Sequence, residues 1–270
     1  MRADTRKRAL TSDAHLSPAE IALVRSLVLF QDEQVLALNK PAGLSSQGGR
    51  GQVNTLDELL YAFAKSSGRR PVLVHRLDRD TSGVILAART KPAASFLGKA
   101  MIARRFGKTY LALIAAPPEP RSGEITVPLR RDEIGREAYT VVADSEHPGA
   151  EAALTRYRTL AAAERGALVE ARPETGRMHQ IRVHLAHLGR PIAGDSRYGG
   201  ALMLSGRAVP RLMLHAAVLS FPHPGGGRFT IKAPPPADFL DLAAALGVAQ
   251  ALDQLRQAAG EPGPPTTSAP

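Results

Sequence analysis

Short apolar runs separated by polar and glycine-rich stretches extend over most of the chain. Such runs, with β-branched and aromatic residues among them, predict short β-strands. The predicted strands are Gln34–Asn39, Val72–Val74, Val84–Ala88, Lys108–Ala116, Ile125–Leu129, Ala138–Val142, Ala152–Leu160, Leu168–Ala171, Leu212–Phe221 and Arg228–Lys232. In Ala152–Leu160 arginines alternate with Thr155 and Tyr157, so we expect a half-exposed edge strand there.

Helix signals are fewer than strand signals. Ser17 followed by Pro18 predicts the start of a short helix, and Thr90 starts a helix that we expect to reach Phe106. Apolar residues also recur at helical spacing in Thr55–Lys65 and in Arg177–Leu188. Because short strands dominate without a regular strand–helix–strand alternation, we predict an α+β fold. Its central sheet is mixed and mostly antiparallel, with flanking helices.

The 270 residues divide into three predicted segments. Residues 1–28 form a polar arm with the short helix, and residues 29–245 form one globular domain long enough for a sizeable core. Residues 246–270 contain the end of a helix and, from Gly260, a tail whose proline-rich composition predicts disorder. No internal repeat is evident.

The chain is strongly basic. Lysine plus arginine number 35 against 25 acidic residues, which gives a net charge of +10 and favours a polyanionic partner such as nucleic acid. Cysteine is absent, which excludes disulfides and cysteine-based sites. No apolar run approaches the ~18 residues of a membrane span, and the N-terminus lacks the apolar core of a secretory signal. We therefore expect a soluble, cytoplasmic protein.

The densest group of ionisable residues is the segment HRLDRDTSG, from His75 to Gly83, between two apolar runs. A strand is predicted to stop, form this turn and resume. Asp78 lies between Arg76 and Arg79, whose guanidinium groups favour an ionised carboxylate and suit a polyanionic substrate. The alternative is a surface turn with incidental ion pairs.

Arg177–Leu188 carries a second set of polar residues beside an apolar helix face. Arg182 falls close to the edge of that face and therefore needs a carboxylate partner, for which Asp78 is a candidate; otherwise its guanidinium reaches water. His179 and His184 are separated by roughly 140° around the helix, so we expect no metal site. The apolar face consists of Met178, Ile181, Leu185 and Leu188.

HRLDRDTSG resembles the signature of the RluA class of pseudouridine synthases, which isomerise uridines in RNA. Four further segments are similar in the expected order, and together they span roughly residues 30–240. They are Asn39–Gly43 (NKPAG), Lys108–Ala112 (KTYLA), Thr175–Gly200 (TGRMHQIRVHLAHLGRPIAGDSRYGG) and Leu214–Ala216 (LHA). The resemblance implies an RNA pseudouridine synthase whose bent central sheet is split by a catalytic cleft.

The resemblance also implies roles for individual residues. Asp78 is the catalytic carboxylate, Arg182 is its partner, and Tyr110 stacks on the target uracil and is a candidate general base. Arg76 fills the gap that a flipped-out uridine leaves or grips the RNA backbone. The expected substrate-binding residues are Lys40, His75, Arg76, Thr81, Ser82, Gly83, Arg177, His179 and Gln180. We expect Asp195, Tyr198 and the glycines next to them to be structural, and His215 to be a hydrogen-bonded core residue.

Isomerisation of uridine involves no redox change and no energy input, so we expect no cofactor. The expected partner is RNA, and a monomer without an obligatory partner protein should suffice. Many family members carry a small RNA-binding domain ahead of the catalytic one. Residues 1–28 are too few for it, so RNA capture is expected to fall to the catalytic domain. Large-subunit ribosomal RNA is the favoured substrate, with tRNA or dual specificity as the alternative.

Two other function classes compete with this interpretation. A non-catalytic RNA-binding protein would need the basic clusters but not Asp78, Tyr110 and Arg182 together. A hydrolase of nucleosides or glycosides would need a second carboxylate flanking the bond, and Asp80 is the nearest candidate in the sequence.

Overall fold

The computed structural model describes residues 16–48, 55–134 and 137–257. Most of the predicted N-terminal arm and the proline-rich tail lie outside these residues. None of the helices in the described ranges has the length and apolar composition to cross a membrane.

A ten-stranded sheet forms the centre of the molecule. Its first eight strands are β1 (Val28–Gln31), β2 (Val35–Lys40), β3 (Val72–Leu73), β4 (Ser82–Ala88), β5 (Gly107–Ile114), β6 (Ser122–Ile125), β9 (Thr155–Ala163) and β10 (Gly166–Pro173). Between β6 and β9 the chain forms a separate hairpin of β7 (Leu129–Ile134) and β8 (Glu137–Val142). A small hairpin of β11 (Met203–Leu204) and β12 (Arg207–Ala208) precedes the last two sheet strands, β13 (Leu214–Pro222) and β14 (Arg228–Lys232).

The strand order is β1-β2-β4-β13-β5-β10-β9-β6, with β3 on β4 and β14 on β13. Of the strand pairs within the described residues only β4–β13 is parallel, so the predicted α+β fold with a mixed, mostly antiparallel sheet is confirmed. Residues of β13 belong to both large apolar cores. One core lies around β5 and β10 and the other around β2 and β4, so the two halves of the molecule meet at the β4–β13 pair.

Within the described ranges, six helices and one 3-10 turn accompany this sheet. They are α1 (Pro18–Ser26), α2 (Leu56–Leu59) continued by the 3-10 turn Leu60–Phe63, α3 (Lys91–Ile102), α4 (Gln180–His187), α5 (Ala237–Ala245) and α6 (Ala249–Gln257). The predicted start of α1 is confirmed. The Ser17 hydroxyl accepts a hydrogen bond from the Glu20 backbone N–H, and the Glu20 carboxylate accepts one from the Ser17 backbone N–H.

Several predicted boundaries were wrong. Ile125 ends β6 and Leu129 begins β7, so Ile125–Leu129 is a connection that contains Pro128, which lacks the N–H a strand interior needs. β9 is not an edge strand because β6 pairs with its outer side, although Thr155 and Tyr157 do face the core. α3 stops at Ile102 rather than at Phe106, and Arg104 just beyond it has φ +55°.

The described residues after Ala245 pack against the globular domain. Leu246, Val248 and Leu252 are almost fully buried in the core around β5 and β10. α6 therefore contributes apolar residues to that core.

Candidate active site

The HRLDRDTSG turn lies between β3 and β4 and is held from below by the loop that follows β2. Lys40 is fully buried, and its Nζ donates to the carbonyls of Pro41, Leu44 and Arg79 at 2.9, 2.8 and 3.0 Å. Ser46 exchanges two hydrogen bonds with the backbone of Leu77. Burial lowers the pKa of Lys40 to about 7, against the pull of Asp80 and Asp78. Lys40 thus fixes the turn from beneath rather than lining the cleft.

Three other predicted substrate-binding residues also lie beneath the cleft. His75 Nε2 accepts from the backbone N–H of Leu86, and burial, with Lys108 nearby, lowers the pKa of His75 to about 3. Ser82 is buried and its hydroxyl bonds His215 Nδ1 at 2.9 Å. Gly83 has φ +116°, and an added Cβ would come within 2.2 Å of the Ala216 carbonyl. Ser82 and Gly83 lie at the β4–β13 contact, His75 packs against β4, and none of the three lines the cleft.

His215 matches the expectation of a satisfied core histidine. Its second nitrogen, Nε2, pairs with the Ala233 carbonyl at 3.0 Å, and burial lowers its pKa to about 4. Ser82 and Gly83, which were predicted to bind substrate, therefore link the turn that carries Asp78 to β13.

The cleft, of about 380 Å³, opens above the β4–β13 junction. Asp78, Tyr110 and Arg182 all line it, as do five of the predicted substrate-binding residues: Arg76, Thr81, Arg177, His179 and Gln180. Several further lining residues were not predicted from the sequence. Among these are Lys108, Arg130, Arg131, Thr140, Glu151 and Thr175.

Arg182 is almost buried, and Asp195 is its main partner. Its Nε and Nη2 donate to the two Asp195 oxygens at 2.7 and 2.8 Å, while Nη1 lies 3.7 Å from Asp78 Oδ2. The Tyr198 ring packs against the guanidinium, 4.9 Å from its centroid. Burial on its own would lower the pKa of Arg182. The hydrogen bonds and charge of Asp195, and after them the charge of Asp78, outweigh burial and raise that pKa. The expected contact with Asp78 is present, yet as the weaker of two.

His179 connects Asp78 to the β7–β8 hairpin. Its Nε2 lies 3.9 Å from Asp78 Oδ2, and its Nδ1 pairs with the Tyr198 hydroxyl at 2.8 Å. That hydroxyl accepts the backbone N–H of Thr140 in β8. Burial first, and then Arg182 and Arg197, lower the pKa of His179 to about 4 although Asp78 opposes this. The imidazole is therefore neutral at pH 7 and forms no ion pair with Asp78.

The start of α4 differs from the prediction. His179 has φ +54° and precedes the helix, so α4 begins at Gln180 and not at Arg177. The buried Gln180 amide accepts from Thr175 and from the Arg177 backbone, and donates to Leu154 and Thr155. Gln180 thus has four protein partners and holds the turn that presents His179. Arg177 pairs with Glu151 at 2.7 Å.

Tyr110 points into the cleft from β5. Burial, with the charge of Asp78 added, raises the pKa of its phenol. A phenol with a raised pKa stays protonated at neutral pH, so it can stack and donate a hydrogen bond but is a poor general base.

Carboxylates other than Asp78 are engaged or remote. Asp80 is more than half exposed, contacts Arg79 at 4.0 Å and does not line the cleft. Glu151 does line it but is paired with Arg177. Within the described ranges no three histidine or acidic side chains are grouped to hold a metal ion. The site therefore contains one carboxylate, Asp78, whose contacts with Arg182 and His179, at 3.7 and 3.9 Å, are longer than a hydrogen bond.

Comparisons with known proteins agree with this geometry. A family model described as RNA pseudouridylate synthase matches residues 34–187. Ribosomal large subunit pseudouridine synthase D of Zymomonas mobilis is 36% identical over 231 residues, which are 81% of this chain and 71% of that protein. Ribosomal large subunit pseudouridine synthase C of Escherichia coli K12 is 37% identical over 221 residues, 80% of this chain and 68% of that protein.

Solved structures give the same result for the fold. Human RNA Pseudouridylate Synthase Domain Containing 4 superposes with a TM-score of 0.71 at 27% identity, over 85% of this chain and 97% of its own. Human RNA Pseudouridylate Synthase Domain Containing 1 has a TM-score of 0.65 at 28% identity, over 88% of this chain and 96% of its own.

Proposed function

The chain belongs to the RNA pseudouridylate synthase family, and we propose that it converts specific uridines of large-subunit ribosomal RNA to pseudouridine. The observation that carries the proposal is the Asp78 carboxylate, 3.7 Å from Arg182, in a cleft whose other charged groups are mostly arginines. The substrate follows from the relatives, whose names specify the large ribosomal subunit. The tRNA alternative has no comparable support.

The reaction breaks the bond between uracil nitrogen 1 and the ribose and joins the ribose to carbon 5. The base stays in the site, so no redox partner and no energy source are needed. Asp78 supplies the negative charge, as a nucleophile or as a stabiliser of the electron-poor sugar. Arg182 faces Asp78 with its third nitrogen, Nη1, and orients it, because Asp195 occupies the other two nitrogens.

Tyr110 forms the wall against which the uracil stacks. Its phenol is held protonated by burial and by Asp78, so we assign it to stacking and hydrogen-bond donation. This assignment differs from the general-base role that the family resemblance suggested for Tyr110. Another group must therefore remove the proton from carbon 5 of the uracil.

Two exposed arginines support RNA capture at the cleft mouth. Arg76 and Arg131 line the cleft with exposed side chains, suited to phosphates or to the gap left by a flipped-out base. Action as a monomer without an obligatory partner protein remains a prediction from the sequence. A cytoplasmic location remains a prediction from the sequence.

The test is pseudouridine mapping of total RNA from cells that lack the gene. Complementation with wild-type protein should restore modification at one or a few positions of large-subunit ribosomal RNA. Asp78→Asn should restore none while still binding RNA. Asp80→Asn is the matched control, since it makes the same change two residues away outside the cleft, and it should restore modification. Full restoration by Asp78→Asn, or sites found only in tRNA, would contradict the proposal.

A further inference from the structure

Six cationic side chains line the cleft, and half of them are neutralised within the protein. Arg130 pairs with Asp132 at 3.0 Å, Arg177 with Glu151 at 2.7 Å and Arg182 with Asp195 at 2.7 Å. Arg76, Lys108 and Arg131 have no carboxylate partner and no hydrogen-bond acceptor among the described residues.

Lys108 differs from the other two unpaired cations in its burial. Arg76 and Arg131 are exposed, so water solvates their charge, whereas the Lys108 side chain is partly buried. Burial lowers the pKa of its ammonium, and that charge in turn helps to keep the neighbouring His75 neutral. An ammonium held away from water without an acceptor is destabilising unless something else supplies the missing negative charge.

A second, smaller cavity lies on the far side of Lys108. Its volume is about 260 Å³, and its wall includes Phe106, Arg172, Glu174 and Ser220 as well as Lys108. The other charged groups there are engaged, since Arg172 contacts Glu170 at 3.0 Å and Glu174 contacts Arg156 at 3.6 Å. Among the described residues, Lys108 is therefore a cation without a carboxylate partner that lines both the cleft and this second cavity.

We propose that Lys108 binds a backbone phosphate next to the target uridine and that the second cavity receives the adjoining nucleotide. This inference rests on the proposed function. Lys108 and Tyr110 are two residues apart on β5 and both side chains enter the cleft, about 7 Å apart along the strand. A uracil stacked on Tyr110 would carry its phosphate towards Lys108. A phosphate is the favoured anion because the strand that delivers the base carries one at every nucleotide.

The experiment measures the affinity of Lys108→Gln for a fluorescently labelled stem-loop RNA with a uridine in its loop. Lys99→Gln is the matched control, because Lys99 lies on α3, is exposed and lines neither cavity. We expect Lys108→Gln to weaken binding on the order of tenfold at low salt, the loss of one charge-assisted contact. The slope of log Kd against log salt should fall by about 0.7, as for one single-strand phosphate.

Two further measurements separate phosphate binding from a structural role. The melting temperature of Lys108→Gln should equal or exceed that of the wild type, because an unpaired ammonium is removed; a drop would indicate that Lys108 supports the fold. A single uncharged methylphosphonate in the RNA backbone beside the loop uridine should weaken binding of that RNA to the wild type. The same substitution should not weaken its binding to Lys108→Gln any further.

Unchanged affinity and salt slope in Lys108→Gln, or equal methylphosphonate effects on both proteins, would overturn the phosphate assignment. Binding is measured without turnover, so this result is independent of the mapping experiment. Absence of modification in cells together with the expected binding changes would refute the proposed function and leave the phosphate contact standing.

Discussion

Arg182 donates its two short hydrogen bonds to Asp195, at 2.7 and 2.8 Å, and approaches Asp78 only to 3.7 Å. Asp195 is fully buried and also accepts the backbone N–H groups of Arg197 and Tyr198. A bidentate pair fixes the plane of a guanidinium. Asp195 therefore determines which nitrogen of Arg182 faces Asp78.

Asp195→Asn should lower both stability and turnover. Breaking a buried ion pair costs about 3–5 kcal/mol, and a freed Arg182 can rotate towards Asp78 and occupy the oxygens that substrate needs. We expect kcat per folded molecule to fall with little change in KM, measured by single-turnover kinetics alongside chemical denaturation.

The control for Asp195→Asn is Asp238→Asn. Asp238 forms a similar bidentate pair with Arg211, at 2.6 and 2.7 Å, and neither residue lines the cleft. This variant should lose stability but keep its turnover per folded molecule. Equal turnover losses in the two variants would show that Asp195 acts only through the fold.

Tyr110→Phe should retain most of the stacking surface and lose only the hydroxyl. Because the phenol is protonated at neutral pH, we expect the rate to fall by less than about 100-fold, whereas removal of a general base costs roughly 10²–10⁴-fold. The basic limb of the pH–rate profile should keep its position. Tyr157→Phe, whose hydroxyl bonds Pro120 away from the cleft, serves as the control. A larger rate loss with a displaced basic limb would restore the general-base role.

Buried histidines should make the fold sensitive to moderate acid. Burial lowers the pKa of His184 and of His215 to about 4, against about 6.5 in the unfolded chain. As pH falls from about 6.5 to about 4 the unfolded chain takes up protons that the native state does not, so the free energy of unfolding decreases. The stabilising contribution is complete above about pH 6.5, and for His215 its loss is on the order of 3 kcal/mol.

His215→Gln tests this pH dependence. The variant should be less stable at pH 7.5 but should lose less further stability down to pH 4.5, as urea denaturation at several pH values would reveal. His187→Gln replaces an exposed histidine of the same helix as His184 and should keep the wild-type slope. An unaltered slope in His215→Gln would mean that this histidine is not held neutral.

Gly83→Ala should separate the catalytic turn from β13. An added Cβ would lie 2.2 Å from the Ala216 carbonyl at a φ of +116°, so both overlap and backbone strain oppose it. We expect a loss of about 3 kcal/mol or more. Gly68→Ala, at φ +75° with nothing within 4 Å of the added Cβ, isolates the strain and should cost about 1–2 kcal/mol. Equal costs, measured by thermal and urea unfolding, would contradict the close β4–β13 packing.

The catalytic turn and much of the secondary structure were predictable because their causes are local. HRLDRDTSG sits between two apolar runs, and Ser17, Pro18 and Glu20 form a capping box within four residues. The strands β5, β8 and β14 likewise follow from contiguous apolar patterns. The start of α4 was missed because a left-handed His179, hydrogen-bonded to Tyr198, overrides the helical spacing of its neighbours.

By itself the sequence determined the family, the turn that carries Asp78, and the need of Arg182 for a carboxylate, because these depend on residues adjacent in the chain or on the chemistry of one side chain. Tertiary structure decided that Asp195 rather than Asp78 receives the two short hydrogen bonds of Arg182. It also placed Lys40, Ser82 and Gly83 beneath the cleft, and it left Lys108 without a carboxylate partner among the described residues. Those outcomes depend on the pairing of β4 with β13 and on how the β7–β8 hairpin meets α4. Distant segments reach such contacts only when their apolar faces share a core, and local pattern does not encode which polar groups then face each other.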